Sequence, residues 1–485
     1  MQQTTGARAG DVVIEAVSPY LPYLALVTGA VMASVASAHA ALRKRDVRAA
    51  IAWVVIIWIA PIVGSLAYAV LGVNRVNRRA LALFGPDEEA DARPKPSPPR
   101  FSAQGLAGMT RLVDGLARHK IAGGNSVSAL NGGDQAYDSM LASIARAERS
   151  VTLCTYIFDH DATGRQFIEA LVAAKDRGVE VRVLVDGVGG RYSWPIVVKT
   201  LRRRGVNARQ FLPTLLPWRA PYFNLRNHRK ILVVDGRVGY TGGMNIRHGH
   251  RAGDSTEAIS DVHFRFLGPV VAQLQSAFAE DWLFAAREEL SGDLWFPELE
   301  VAGPVRARGI SDGPDYDLHR ISWTLQGALA CAQRRVRFAT PYFLPIAGMA
   351  RALQVAARRG VTVDILLPER SNLLLVQWAS RAMWEQVLEG GCRIWLTPPP
   401  FDHTKLMVMD DDWSFIGSSN WDPRSLRLNF EFNVEMHDRE VNGELDFILQ
   451  QKIRKAHRLK QEELDARPFA VKLLDGSARL LSPYL

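Results

Sequence analysis

One short pattern occurs twice in this chain, and the duplication constrains the fold more than any other feature. The first copy reads His228-Arg229-Lys230, then Asp235, then Gly242-Gly243-Met244-Asn245. The second reads His403-Thr404-Lys405, then Asp410, then Gly417-Ser418-Ser419-Asn420. His403 lies 175 residues after His228, and Lys405, Asp410 and Asn420 follow Lys230, Asp235 and Asn245 at the same distance. A lone His-x-Lys arises by chance in many chains; four residue types repeated at fixed offsets do not.

The repeat extends beyond the motifs. Ala147 to Phe158 matches Ala332 to Phe343, and Arg177 to Leu184 matches Arg359 to Leu366. Each half reads helix, strand, helix, strand, then a motif strand. In the first half, Tyr137 to Ala147 has helical periodicity, Val151 to Phe158 reads as a strand, and Gly164 to Arg177 is a helix stopped by Gly178. Val179 to Asp186 and Ile231 to Asp235 are further apolar strands. Helices alternating with apolar strands predict an α/β fold with mainly parallel or mixed sheets. Two such halves would pack about a pseudo-twofold axis with the motifs meeting at the interface.

The motif residues suit phosphoryl transfer. A phosphodiester is anionic and resists nucleophiles, so its non-bridging oxygens need cations and amide donors. His228 and Lys230 are two apart on a strand and share a face, as do His403 and Lys405. Brought together, the two faces would set two histidines and two lysines around one phosphate. One histidine can attack phosphorus while the other moves protons on the leaving and entering oxygens. A nucleophilic histidine needs its second ring nitrogen held by an acceptor. Asp261 and Glu431, downstream of the two motifs, are the candidate orienters. Asn245, Asn420, Gly243 and Ser418 are the candidate phosphate-binding residues. Asp235 and Asp410 complete the motif set, but they end the motif strands and are expected to fix backbone structure. No further histidine or cysteine lies at zinc-ligand spacing, and His160, His263 and His319 look incidental.

Ahead of this repeat the chain is apolar. Residues 16–42 and 49–73 contain no Asp, Glu, Lys or Arg, and each exceeds the roughly 20 residues that cross a bilayer. The second is the stronger span, with Pro61 and Gly64 tolerable in a membrane helix. The first is rich in Ala and Ser. A cleaved signal peptide fits it less well, because its leader is not basic and a second apolar span follows directly. A helical hairpin is expected over residues 1–83, with a short loop at Arg43 to Arg48. A Pro-rich and acidic linker over 84–105, a first half over 106–300 and a second half with a C-terminal tail over 301–485 follow. Basic residues flank both sides of the hairpin equally, so the positive-inside rule gives no orientation. Three scattered cysteines, Cys154, Cys331 and Cys392, favour a reducing compartment. The formal net charge of +9 calls for an anionic partner, and two spans make that partner lipid rather than nucleic acid. The segment Leu215 to Phe223 mixes aromatic and basic residues as interfacial segments do, and the tail from Phe469 could also lie on a membrane.

The paired motifs resemble those of the phospholipase D superfamily, and the chain is similar to bacterial cardiolipin synthases along nearly its whole length. Ala60 to Gly64, Asn224 to Lys230, Gly242 to Ile246, Thr340 to Phe343, Ala379 to Arg381, Asp422 to Glu431 and Ala478 to Pro483 carry the resemblance. It implies two phospholipase D-like α/β half-domains behind an N-terminal two-helix transmembrane hairpin. It also implies a multi-pass protein of the bacterial cytoplasmic membrane, with its catalytic part at the cytoplasmic face. The implied reaction is a cofactor- and metal-independent transphosphatidylation. One phosphatidylglycerol donates its phosphatidyl group to a histidine, releasing glycerol, and a second accepts it to form cardiolipin. The resemblance favours His228 as nucleophile and His403 as acid and base. Three stretches depart from the family pattern: Arg247 to Asp254, Ser260 before Asp261, and Pro398 to Asp402 before His403. They leave the acceptor open.

Two other classes remain. A phospholipase D or phosphodiesterase would use the same residues with water as acceptor, on phospholipid or nucleic acid. A non-catalytic membrane scaffold would keep the fold without the activity, although every motif residue is present.

Overall fold

The computed structural model describes residues 20–44, 47–72, 104–213, 225–251, 258–314 and 318–482. Most of the 84–105 linker and the segment Leu215 to Phe223 lie outside these residues. The chain divides into two compact units, Met1–Arg78 and Arg79–Leu485.

In the first unit, the helix Leu21–Arg43 is the one helix among the described residues long and apolar enough to cross a bilayer. The second apolar stretch, the stronger one by sequence, is not a single helix. It forms Val47–Ile59, leaves helical geometry at Ala60 (φ −137°, ψ 79°), and restarts as Pro61–Ala67. The reason is Pro61. Inside a helix it lacks a backbone donor and clashes with the carbonyl four residues back, whereas at the first position of a new helix it does neither. Small residues let these helices close on one another. Gly29 faces the Pro61 ring, and Ala33, Ala40 and Ile57 form a buried cluster with Tyr68. The Tyr68 hydroxyl lies 2.8 Å from His39 Nδ1.

The second unit is built on one large mixed sheet, beside a separate two-stranded sheet of Ile259–Ser260 with Phe401–Asp402. Its first-half strands are β1 (Ala122–Asn131), β2 (Ser150–Thr155), β3 (Glu180–Asp186), β4 (Asn207–Phe211), β5 (Arg226–Asn227), β6 (Ile231–Val234), β7 (Val238–Gly242), β8 (Ile259–Ser260) and β9 (Val262–Leu267). The second half supplies β10 (Val305–Asp312), β11 (Arg335–Ala339), β12 (Thr362–Pro368), β13 (Arg393–Thr397), β14 (Phe401–Asp402), β15 (Leu406–Met409), β16 (Trp413–Gly417), β17 (Asn429–His437) and β18 (His457–Leu459). The main path runs β18-β13-β12-β11-β15-β16-β17-β10-β1-β9-β7-β6-β2-β3-β4. The strands β2, β3 and β4 are parallel, as are β11, β12 and β13, and the motif strands β6 and β15 join these blocks antiparallel. Helices pack on these blocks, which is why β2 is buried at every position.

Each half has its own core, one around Tyr137, Phe158 and Phe167, the other around Phe338, Trp413 and Trp421. The helix Gln104–Leu116 opens the first half in the chain, yet its Met109 and Val113 lie in the second core. Local signals match the sequence closely. The helix Ala162–Asp176 begins at Asp161, whose carboxylate accepts from Gly164 N at 2.8 Å, and ends before Gly178 at φ +91°.

Two short pairings tie the halves together at the motifs. The strand β5, just before His228, pairs in parallel with β17 of the second half. The strand β14, just before His403, pairs in parallel with β8 of the first half.

Candidate active site

The pairings decide where the histidines sit. His228 N donates to Phe430 O at 2.9 Å, and His403 N donates to Ser260 O at 2.7 Å. Each histidine backbone is thus pinned by the other half, one residue before that half's candidate carboxylate. The side chains follow the same exchange. His228 Nδ1 lies 3.0 and 3.1 Å from the Glu431 carboxylate oxygens, and His403 Nδ1 lies 2.9 Å from Asp261 Oδ2. All four groups are buried. An Nδ1–H directed at a carboxylate leaves Nε2 as the reactive nitrogen.

The lysines fold back over their own strands. Lys230 Nζ donates to His228 O at 2.7 Å and stands 5.7 Å from the Tyr156 ring centroid. Lys405 Nζ donates to His403 O at 2.8 Å but also lies 3.1 Å from both His403 ring nitrogens. Burial pushes Lys230 down to about 7 and Lys405 down to about 8, opposed by Glu431 and Asp261. Burial, then the two ammonium groups, holds both histidines well below their ordinary value. Glu431 is raised to about 7 by burial against the pull of Lys230, and Asp261 is raised by burial against Lys405. The site therefore holds neutral imidazoles beside lysines that burial drives toward the neutral form, and a bound anion would favour their charged form.

The glycine-rich turns serve the carboxylates. A Cβ on Gly243 would lie 2.5 Å from Asp261 Oδ2, so only glycine admits that carboxylate. Its counterpart Ser418 fills the equivalent space and donates its hydroxyl to Glu431 Oε2 at 2.5 Å. The Ser418 backbone N–H is also engaged, with Asn433 Oδ1 at 2.9 Å and Phe432 O at 3.1 Å. The Ser418 hydroxyl and backbone N–H thus serve Glu431, Asn433 and Phe432. Asn245 Oδ1 accepts from Ile157 N at 3.1 Å, and Asn420 Nδ2 donates to Ser425 Oγ at 3.2 Å. Asn420 Oδ1 is buried with no partner.

Asp235 and Asp410 sit at the far ends of β6 and β15, away from the histidines. Both adopt left-handed backbone, φ 53° and 50°, which aspartate tolerates better than most residues. Asp235 accepts from the backbone N–H groups of Glu148, Arg149 and Ser150, and Asp410 from those of Gln333, Arg334 and Arg335. Each ties the motif turn to the start of the neighbouring parallel strand.

Several groups at the site were not singled out from sequence. Tyr156 packs edge-on to His228 at 5.2 Å between ring centroids, and Tyr342 packs edge-on to His403 at 6.5 Å. His250 is buried with its ring centroid 6.2 Å from that of His403 and its Nδ1 unpartnered. It belongs to the first of the three stretches that depart from the family pattern. The other two pair with each other, Asp402 against Ser260, and Lys452 joins them by bonding to both side chains. All three departures thus converge on His403. Among the described residues, no group of three His, Cys, Asp or Glu side chains is arranged to hold a metal ion.

Fold and site together define a phospholipase D-like protein, and comparison with known proteins agrees. A family model described as a cardiolipin synthase, phospholipase D-like domain matches residues 140–282 and 325–453. A second, described as a phospholipase D-nuclease N-terminal region, matches residues 31–72. Among solved structures, the phosphatidylserine synthase of Haemophilus influenzae covers 78% of the chain at a TM-score of 0.63 and 13% identity, a likeness of fold alone. A cardiolipin synthase of Geobacillus kaustophilus is 32% identical, over 92% of this chain and 90% of its own. Cardiolipin synthase 1 of Staphylococcus epidermidis is 28% identical over 91% and 93%. The chain belongs to the cardiolipin synthase family of the phospholipase D superfamily, which makes it a phosphatidyltransferase.

Proposed function

We propose that the chain joins two phosphatidylglycerol molecules into cardiolipin and glycerol through a phosphohistidine, with His228 as nucleophile and His403 as proton carrier. The observation that carries this reading is the exchange of carboxylates, Glu431 to His228 and Asp261 to His403, which commits both halves to one site. A phosphodiester between Lys230 and Lys405 adds negative charge that favours both ammonium groups and raises the affinity of His403 for a proton. His228 Nε2 attacks phosphorus, the bond to the glycerol oxygen breaks, and His403 protonates that oxygen. A hydroxyl of the second phosphatidylglycerol then gives its proton to His403 and attacks phosphorus, the P–N bond breaks, and both histidines return to their starting states. Lys230, Lys405, Asn245 and Asn420 hold the non-bridging oxygens, Gly243 and Ser418 set the carboxylates, and Asp235 and Asp410 hold the motif turns.

The two halves are read as related by a pseudo-twofold axis, supported by the matched β5–β17 and β14–β8 pairings. The N-terminal helices are read as a hairpin in the cytoplasmic membrane, supported by the outward apolar side chains of Leu24, Val27 and Val31 on one helix and Ile51, Val55 and Ile59 on the next. The catalytic unit is read at the cytoplasmic face, in keeping with three cysteines that form no disulfide.

The test is turnover in phosphatidylglycerol liposomes without added metal, with lipid products read by mass spectrometry. Cardiolipin with free glycerol, lost in His228→Ala, is expected. Phosphatidic acid in place of cardiolipin would assign water as the acceptor and overturn the transfer reading.

A further inference from the structure

The two ends of the motif strands differ in what they present to solvent. At the aspartate end, the residues bound to Asp235 and Asp410 include exposed polar side chains, Glu148 and Gln333. At the histidine end, each half extends an apolar loop outward through one tyrosine. In the first half, Tyr156 lies beside His228 and 6.4 Å from Tyr192, in the loop after β3. Tyr192 is 63% exposed, and Trp194 beyond it is 82% exposed. In the second half, Tyr342 lies beside His403 and donates its hydroxyl to Asn372 Oδ1 at 2.8 Å, in the loop after β12. Leu373, Leu374 and Leu375 follow, all exposed, Leu374 to 61%. The two loops occupy equivalent places in the repeat, between the second parallel strand of each block and the next helix. Each loop thus leads from solvent to one of the two histidines through a single tyrosine.

The patch continues onto the C-terminal helix Phe469–Leu480. That helix packs against Leu374–Glu389 through Ala379 and Ala478, with Arg381 bonded to Asp475 at 2.8 Å. This register is antiparallel, so the end bearing exposed Leu480 comes to the Leu374 end. Exposed Arg370 and Arg479 flank the apolar groups. An exposed tryptophan and tyrosine, leucines and flanking arginines are the composition of a surface at the lipid–water boundary. Exposed apolar clusters of this kind are uncommon on surfaces that face only water.

We propose that the loops at Tyr192–Trp194 and Leu373–Leu375, with the end of the C-terminal helix, form a rim that dips into an anionic bilayer. The rim delivers one lipid from each side to the two histidines. This rests on the reading that the substrates are phospholipids, and it adds where they enter. The occupant is the bilayer, because the rim is continuous with the proposed phospholipid site and its exposed flanking charges are net basic, Arg191, Arg370 and Arg479 against Glu369.

The test uses the full chain in vesicles of phosphatidylglycerol and phosphatidylethanolamine. Cys154 and Cys392 are buried, so a Cys331→Ala background leaves new cysteines as the accessible labels. An environment-sensitive dye is placed by Trp194→Cys, by Leu374→Cys and, as control, by Glu148→Cys. Nitroxide lipids are expected to quench the dye at 194 and 374, and aqueous iodide to quench it at 148. The pattern should persist with His228→Ala, which separates failure of the rim from failure of the chemistry. Iodide quenching at 194 and 374 would overturn the proposal, as would shielding from both quenchers, which would mean a protein cover. The Trp194→Glu, Leu374→Glu pair should lower turnover of vesicle lipid about tenfold, a loss of about 1.4 kcal/mol, and less on short-chain lipid in detergent. Equal losses on both would make these positions structural and also overturn it.

Discussion

The His228 side and the His403 side of the site share a motif but not a setting. Glu431, which holds His228, is itself held by Ser418 and by Asn429 Nδ2 at 3.1 Å. Asp261, which holds His403, accepts from the backbone of Val262 at 2.8 Å and has the bare Gly243 behind it. Lys230 stands clear of the His228 ring, whereas Lys405 lies on the ring nitrogens of His403. His250 and the Lys452 bridge adjoin only His403. The duplicated motif supplies two equal toolkits, and the surroundings make them unequal. The proposed nucleophile, His228, has its ring fixed by a carboxylate that is itself held by two side chains. A proton carrier needs neighbours that tune its basicity, which the His403 side has.

The histidine substitutions separate the two sides with the largest effect. His228→Ala and His403→Ala should each lower transfer by about 10³- to 10⁴-fold or more. A phosphatidyl ester with a good leaving group needs no acid for the first step. With it, His403→Ala should accumulate a phosphatidyl adduct visible by intact-protein mass spectrometry, and His228→Ala should not. An adduct in His228→Ala alone would reverse the assigned roles.

The carboxylates come next. Glu431→Gln should cost about a hundredfold in kcat, because the amide no longer accepts from imidazole in the same way and also disturbs Ser418 and Asn429. Asp261→Asn should cost less, since fewer side chains depend on it. Equal losses would show that the two settings do not matter to the chemistry.

The lysines set a pH limit. Lys230 is pushed down to about 7 and Lys405 to about 8, so the free enzyme loses the two cations proposed to hold phosphate as pH rises through that range. The profile of kcat/KM should therefore fall on its alkaline side between about pH 7 and 8. In Lys405→Arg the guanidinium stays charged, so the limb due to Lys405 should move upward, although the maximal rate drops about tenfold because the fork does not reproduce the ammonium contacts. An unmoved limb would assign it to Lys230 or to the Glu431 pair.

Much of this was legible in the sequence. The offset of the motifs named His228, Lys230, His403 and Lys405, and the apolar runs located β2, β3 and β6. Which carboxylate serves which histidine was not legible. His228 and Glu431 lie 203 residues apart, and their meeting depends on β1 pairing with β10 and β5 pairing with β17. No local periodicity encodes such a crossing. The same holds for Gln104–Leu116, whose amphipathic face fits either core equally well until both are built. The contact of the Ser418 hydroxyl with Glu431 was not legible either, because only the position of Glu431 shows what that hydroxyl faces. Pro61 carried its signal openly. It is compatible with either a kink or a restart, and the backbone at Ala60 decides for the restart.

The smallest expected effect on chemistry belongs to the one pair that the two halves treat alike. Asp235 and Asp410 have matching left-handed backbones and each collects three consecutive backbone N–H groups. Asp235→Asn and Asp410→Asn keep the side-chain shape but replace a charged acceptor with a neutral one. Each should lower unfolding stability by about 1–3 kcal/mol, with kcat within a few-fold of the parent when assayed well below the melting temperature. The two losses should be nearly equal, as read by denaturant midpoints of the reconstituted protein. If one were much larger, the inequality between the halves would reach the far ends of the motif strands. It would then be a property of the whole half and not of the histidine surroundings alone.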